Sequence, residues 1–183
     1  MKKWICLLLC MLLAPACALA EKPFPVDAES FQWHLSDMLE RYIVWESMGE
    51  VKGKPELFGY AADGMYPDFT VRLDADGKLY AAEVSAILNP SYDQYTLESM
   101  DAVLDGAQTA AHTIGLLTNG SLDIEDPFLT GDVHSLHRDV RSSQNLSRHT
   151  GQKTFFAPGI QCVQKLELVT PSRMFYSIRF EPR

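Results

Sequence analysis

The sequence predicts an α+β domain in which two helices cover one face of a small antiparallel sheet, in the order α-β-β-α-loop-β-β. Two observations carry this prediction. Apolar residues recur at helical spacing in two separate segments, and two other segments alternate apolar and polar residues around turn sequences. Hairpins pair strands that are close in sequence, which favours antiparallel pairing, and each helix has one apolar face to bury.

The first helix is predicted to begin after Asp27, a good N-cap residue, and to run to about Ser47, with Gly49 just beyond its end. We interpret Trp33 and Trp45, which lie away from the centre of its apolar face, as widening the buried stripe; the alternative is contact with a partner. The apolar face itself consists of Phe31, Leu35, Met38, Leu39 and Tyr42.

A connecting loop is expected over residues 49–67, where glycine and proline are frequent. The clearest hairpin follows, over residues 69–85, and we expect it to be central in the sheet. Phe69, Val71 and Leu73 alternate with polar residues, and the sequence from Asp74 to Gly77 is typical of a turn.

A second helix is predicted after Asp93, with one apolar stripe along its length. Residues 118–153 are polar and are expected to form an insertion, in which a short helix around Val133, Leu136 and Val140 is possible. A second hairpin is predicted to close the chain, with strands over residues 161–169 and 174–180. The stripe of the second helix consists of Leu97, Met100, Leu104, Ala107 and Ala111.

The first twenty residues are typical of a cleaved export signal. Lys2 and Lys3 precede the apolar run from Trp4 to Leu13, and a small-x-small sequence ends at Ala20. The run is shorter than the roughly 20 apolar residues that span a bilayer. We therefore expect residues 1–20 to be removed, leaving a periplasmic or secreted single domain over 21–183. A retained anchor or a lipid-modified Cys17 are the alternatives.

The net charge of the chain excludes some classes of binding partner. The chain has a net charge of −8, and loss of the signal would leave 14 basic against 24 acidic residues. This balance argues against nucleic acid or an anionic membrane as a partner.

After cleavage only Cys162 would remain, so no disulfide could form within the chain. Its apolar neighbours predict a buried thiol in a monomer.

Strong catalytic motifs are absent from the sequence, which has no G-x-S-x-G, no G-x-x-x-x-G-K, no H-E-x-x-H and no C-x-x-C. The best candidate site is His134 and His137, which would share a helix face and could bind one metal ion with Asp132. A solvated surface helix explains the same pattern, and we adopt that interpretation. No cofactor is predicted, and a small metal-dependent hydrolase is the alternative function.

Residues 69–84 and 92–107 together resemble the C-terminal domain of the TonB and TolA proteins. The first is Phe-Thr-Val-Arg-Leu-Asp-Ala-Asp-Gly-Lys-Leu-Tyr-Ala-Ala-Glu-Val, and the second begins Tyr-Asp-Gln-Tyr-Thr-Leu. In that family a strand, a D-x-D-G-type turn and a returning strand precede a helix. We expect the family's membrane anchor and long spacer to have no counterpart in this chain. The resemblance implies a binding domain rather than a force transducer.

The expected function is therefore that of a periplasmic, non-enzymatic protein-binding module in a cell-envelope, transport or secretion complex. The expected mode is strand addition to an exposed sheet edge, where unpaired backbone groups bind a partner. The last strand is the predicted edge, and its candidate partner-binding residues are Met174, Tyr176, Ile178 and Phe180.

Overall fold

The computed structural model describes residues 22–62, 64, 67–90, 93–119, 133–143, 146–157 and 159–183. These residues form an α+β fold, as predicted, with three helices and one seven-stranded antiparallel sheet. The helices are α1 (Ala28–Met38), α2 (Gln94–Asn119) and α3 (Val133–Ser143). The strands are β1 (Ile43–Val51), β2 (Lys54–Ala61), β3 (Asp68–Leu73), β4 (Leu79–Leu88), β5 (Gly151–Ala157), β6 (Ile160–Thr170) and β7 (Arg173–Pro182).

The strands lie in the order β1-β2-β3-β4-β7-β6-β5, so two meanders meet where β4 pairs with β7. The predicted hairpin of residues 69–85 is confirmed as β3 and β4, and β4 is the middle strand of the sheet. Its turn ends at Gly77, whose φ of +76° suits glycine. The terminal hairpin is confirmed as β6 and β7.

The predicted element order is wrong at the first helix. Helix α1 begins after Asp27 as predicted, where the Asp27 side chain accepts a hydrogen bond from the Ser30 amide, but it ends at Met38. The chain reverses at Glu40, which has a φ of +51°, and the next residues form β1. The β-branched and aromatic sequence Ile43-Val-Trp45 favours a strand, and this preference outweighs the apolar spacing.

Two strands replace parts of predicted loops. The predicted loop over residues 49–67 contains β2, and the predicted insertion over 118–153 contains the beginning of β5. The possible short helix of the insertion is confirmed as α3, and its residues Val133, Leu136 and Val140 are buried. Together with β1, they add two strands to one end of the expected sheet and one to the other.

The core lies between the helices and one face of the sheet. Helix α2 packs against β4, β7 and α1, and its predicted stripe is buried at Met100, Leu104, Ala107 and Ala111. Asp93 caps this helix as predicted, because its carboxylate accepts a hydrogen bond from the Thr96 amide at 2.8 Å. Within the described residues, no helix is both long enough and apolar enough to cross a membrane.

Helix α3 is held on the sheet by a buried glutamine of β6. The Gln164 Nε2 group donates hydrogen bonds to the Val133 carbonyl oxygen and to the Tyr176 hydroxyl, both at 2.9 Å. Gln164 and Tyr176 are almost completely buried. The pair therefore joins the first residue of α3 to β6 and β7 through the core.

Candidate functional site

The predicted binding edge is wrong, because β7 is an interior strand. It pairs with β4 on one side and with β6 on the other, so its backbone groups already have partners. The four proposed binding side chains, Met174, Tyr176, Ile178 and Phe180, are each fully buried against the helices. The last strand is inserted between two others because the second meander returns towards the middle of the sheet. These residues belong to the core and cannot meet a partner without unfolding.

The predicted histidine pair lies on α3, at the surface facing α2. The His137 Nε2 atom is 3.2 Å from the Asp101 Oδ1 atom of α2. Burial lowers the pKa of His137, and the nearby Asp101 carboxylate opposes this effect. Asp132 lies outside the described residues. Among the residues that the structure describes, no three His, Cys, Asp or Glu side chains converge in a way that could hold a metal ion.

The strands at the two ends of the sheet are β1 and β5. On β5, Lys153 reaches helix α3, where its Nζ atom donates a hydrogen bond to the Ser135 hydroxyl at 3.1 Å. The exposed Phe156 ring of the same strand lies 4.7 Å from the Arg183 guanidinium. On β1, the register to β2 is continuous from Ile43 to Ser47 and is then broken by a bulge before Gly49. Bulges of this kind are common at sheet edges, where they limit unwanted pairing.

The hydrogen-bond pattern of β1 shows which backbone groups point outward. The Ala62 amide donates to the Tyr42 carbonyl oxygen, so these two residues form a hydrogen-bonded pair. Such pairs alternate along antiparallel strands. The amides and carbonyls of Val44 and Glu46 therefore point to β2, and those of the residues between them, including Trp45 and Ser47, point away from it.

A shallow groove of about 790 Å³ lies between α1 and the beginning of β1. We call it the α1–β1 groove. Helix α1 presents a stripe of polar and aromatic residues to the groove at helical spacing, because its apolar residues Phe31 and Leu35 face the core. The lining includes Glu29, Trp33, Asp37, Glu40, Arg41, Tyr42 and Trp45.

Three aromatic rings line the α1–β1 groove. Trp33 and Tyr42 expose 63% and 76% of their surface, which is high for residues of this size. Trp45 is partly buried, and its indole Nε1 atom is buried without a hydrogen-bond partner among the described residues. Exposed aromatic rings with one polar edge are typical of protein-binding surfaces.

The position of Trp45 depends on Gly59, its partner on β2. A Cβ atom at residue 59 would lie 2.7 Å from the Trp45 ring, which is closer than real contacts allow. The ring also packs 6.4 Å from the Phe69 ring, measured between centroids. Trp45 is therefore held flat across β2, at one wall of the groove.

The charge of the α1–β1 groove is acidic. Glu29, Asp37 and Glu40 line it together with one basic residue, Arg41. Further along β1, the Glu46 carboxylate accepts a hydrogen bond from the Tyr60 hydroxyl at 3.0 Å, and this bond raises the pKa of Tyr60. The groove and the strand beside it thus combine aromatic surface with negative charge.

Sequence reasoning missed the groove because it placed its two walls on one helix. The expectation that Trp33 widens a buried stripe is wrong, because this side chain is exposed. Tyr42 was expected in the core and is also exposed. The signal that could have revealed the groove is the Ile43-Val-Trp45 sequence, which marks a strand directly after the helix.

No protein-family model matches the chain, and no curated protein or solved structure matches it either. The resemblance of residues 69–84 and 92–107 to the TonB and TolA C-terminal domains therefore stays a prediction.

Proposed function

We propose that the protein is a non-enzymatic binding module of the cell envelope that captures a partner by adding its strand to β1. The single observation that carries the proposal is an outward-facing edge strand beside an aromatic groove. The export signal expected at residues 1–20 supports a location in the envelope. The resemblance to TonB and TolA domains agrees with a binding role, although it identifies no partner.

The β1 edge suits strand addition for two reasons. The outward amides and carbonyls of Trp45 and Ser47 present the pattern that an added strand would pair with. An added strand directs every second side chain to the helix side of the sheet, where the α1–β1 groove would receive it. The bulge before Gly49 limits the addition to the first half of β1.

A substitution at Ser47 tests this proposal directly. Ser47→Pro removes an outward amide and leaves the ladder to β2 in place, so partner capture should be lost. Ser47→Ala is the matched control, because it retains the amide. The measurement is photocrosslinking in the native envelope from a reactive amino acid at Met48, an exposed neighbour of Ser47.

Crosslinks should form with one extended segment of a partner, should disappear in Ser47→Pro and should persist in Ser47→Ala. Both variants should keep the wild-type melting temperature to within a few degrees, which separates lost binding from lost folding. Equal crosslinking in the two variants would refute strand addition at β1.

A further inference from the structure

We infer that the strand captured at β1 is basic and that its lysine or arginine side chains enter the α1–β1 groove. This inference rests on the strand addition proposed above and adds the chemistry of the partner. The occupant is a polypeptide segment in extended conformation, with cationic side chains at every second position.

The geometry places the partner's side chains against defined residues. A strand paired to the outward groups of Trp45 and Ser47 would lie directly beside them, with its helix-side Cβ atoms about 5 Å from theirs. A side chain that extends from there meets α1, whose groove-facing residues include Trp33 and Asp37. Long, flexible side chains can reach from the added strand to α1, whereas short ones would leave the groove empty.

The chemistry of the groove favours a cation at that position. Lysine and arginine bind aromatic ring faces, tryptophan best of all, and the groove offers Trp33 and Trp45. Glu29, Asp37 and Glu40 outnumber Arg41, the basic residue of the groove, and provide carboxylates for the charged end of the same side chain. The aliphatic stem of lysine or arginine would cover the exposed aromatic surface, which an acidic side chain could not do.

The charge on the rest of the chain also favours a basic partner. The protein carries a net charge of −8, and Glu46 and Glu50 lie on β1 itself. A basic segment would be attracted over a long range, and an acidic one would be repelled.

Three synthetic peptides provide the test. Each has eight residues with blocked ends, and threonine alternates with lysine, with glutamine or with glutamate. Binding to the purified full chain is followed by calorimetry and by tryptophan fluorescence. We expect the lysine peptide to bind about tenfold more tightly than the glutamine peptide, and the glutamate peptide not to bind. The preference should weaken as salt is added.

A triple variant, Glu29→Gln with Asp37→Asn and Glu40→Gln, should remove the preference for lysine over glutamine. The matched control changes three exposed acidic residues that lie away from the groove: Glu98→Gln, Asp139→Asn and Glu167→Gln. It alters the net charge by the same amount, so it should keep most of the preference. Loss of the preference in both triple variants would show that only net charge matters and would overturn the assignment of the groove.

The Ser47→Pro variant separates this inference from the function on which it rests. If wild type binds the lysine and glutamine peptides equally and Ser47→Pro binds neither, strand addition stands and the basic partner is refuted. If the lysine peptide binds Ser47→Pro as well as wild type, strand addition at β1 is refuted. Failure of all three peptides to bind wild type would overturn both.

Discussion

Gln164→Leu should loosen helix α3 and lower the free energy of unfolding. In the folded protein, Gln164 Nε2 donates to the Val133 carbonyl oxygen and to the Tyr176 hydroxyl, both at 2.9 Å, in a part of the core that is closed to water. Leucine has a similar volume and no donor. The substitution therefore leaves the Tyr176 hydroxyl without this donor, at a cost of about 1–3 kcal/mol, and removes a second hydrogen bond from the Val133 carbonyl, which as a helical residue also accepts the amide four residues later; that loss is worth about 0.5–1.5 kcal/mol.

One effect opposes this cost. The Gln164 Oε1 atom is itself buried without a partner among the described residues, so its removal recovers about 1–3 kcal/mol. The net loss should be about 1 kcal/mol, measured as a lower urea midpoint at an unchanged slope. Lys165→Leu is the control on the same strand: this side chain points to the other face, where it pairs with Glu167, and its change should stay within about 0.5 kcal/mol.

A second readout identifies the element that is affected. Amide hydrogen exchange in α3 should accelerate in Gln164→Leu and should not change in the hairpin of β3 and β4. The double variant with Tyr176→Phe should lose less than the sum of the two single losses, because both remove the same bond. A Gln164→Leu protein as stable as wild type would refute the view that this glutamine holds α3 on the sheet.

Three further predictions concern the core and its titratable groups. Leu35→Ala should lower the free energy of unfolding by about 2–5 kcal/mol in urea, because Leu35 is fully buried, and a loss below 1 kcal/mol would contradict its place in the core. Burial lowers the pKa of His137 in the folded state, so the free energy of unfolding should fall as the pH drops below about 6.5. His137→Gln should flatten this part of the plot of stability against pH. An unchanged plot would show that other groups cause the fall. Cys162 is fully buried and should react with thiol reagents only after unfolding. For the same reason, the protein should run as a single monomer band on non-reducing gels. Rapid labelling or a doubled mass would contradict the burial of this thiol.

The local features of the fold were predictable from the sequence, since each depends on residues that are close along the chain. Asp27 and Asp93 cap helices because their carboxylates meet amides three residues later. The turn that ends at Gly77 joins two alternating segments, and Cys162 lies among apolar residues that mark a buried face. Caps and turns depend on short-range interactions, and they were predicted correctly.

The arrangement of the strands depended on contacts between distant residues. The hairpin of β6 and β7 was predicted, but nothing near Met174 in the sequence indicates that β4 would be the second neighbour of β7, because either edge of the first meander could have supplied that neighbour. The end of α1 depended on both kinds of interaction: the apolar spacing continues to Tyr42, but Ile43 and Trp45 prefer a strand, and pairing with β2 provides one. The sequence by itself therefore determined the helix starts, the turns and most of the buried positions. Only the tertiary structure decided which strands lie at the edges of the sheet and that Trp33 and Trp45 line one groove, because both depend on which strands pair across the chain.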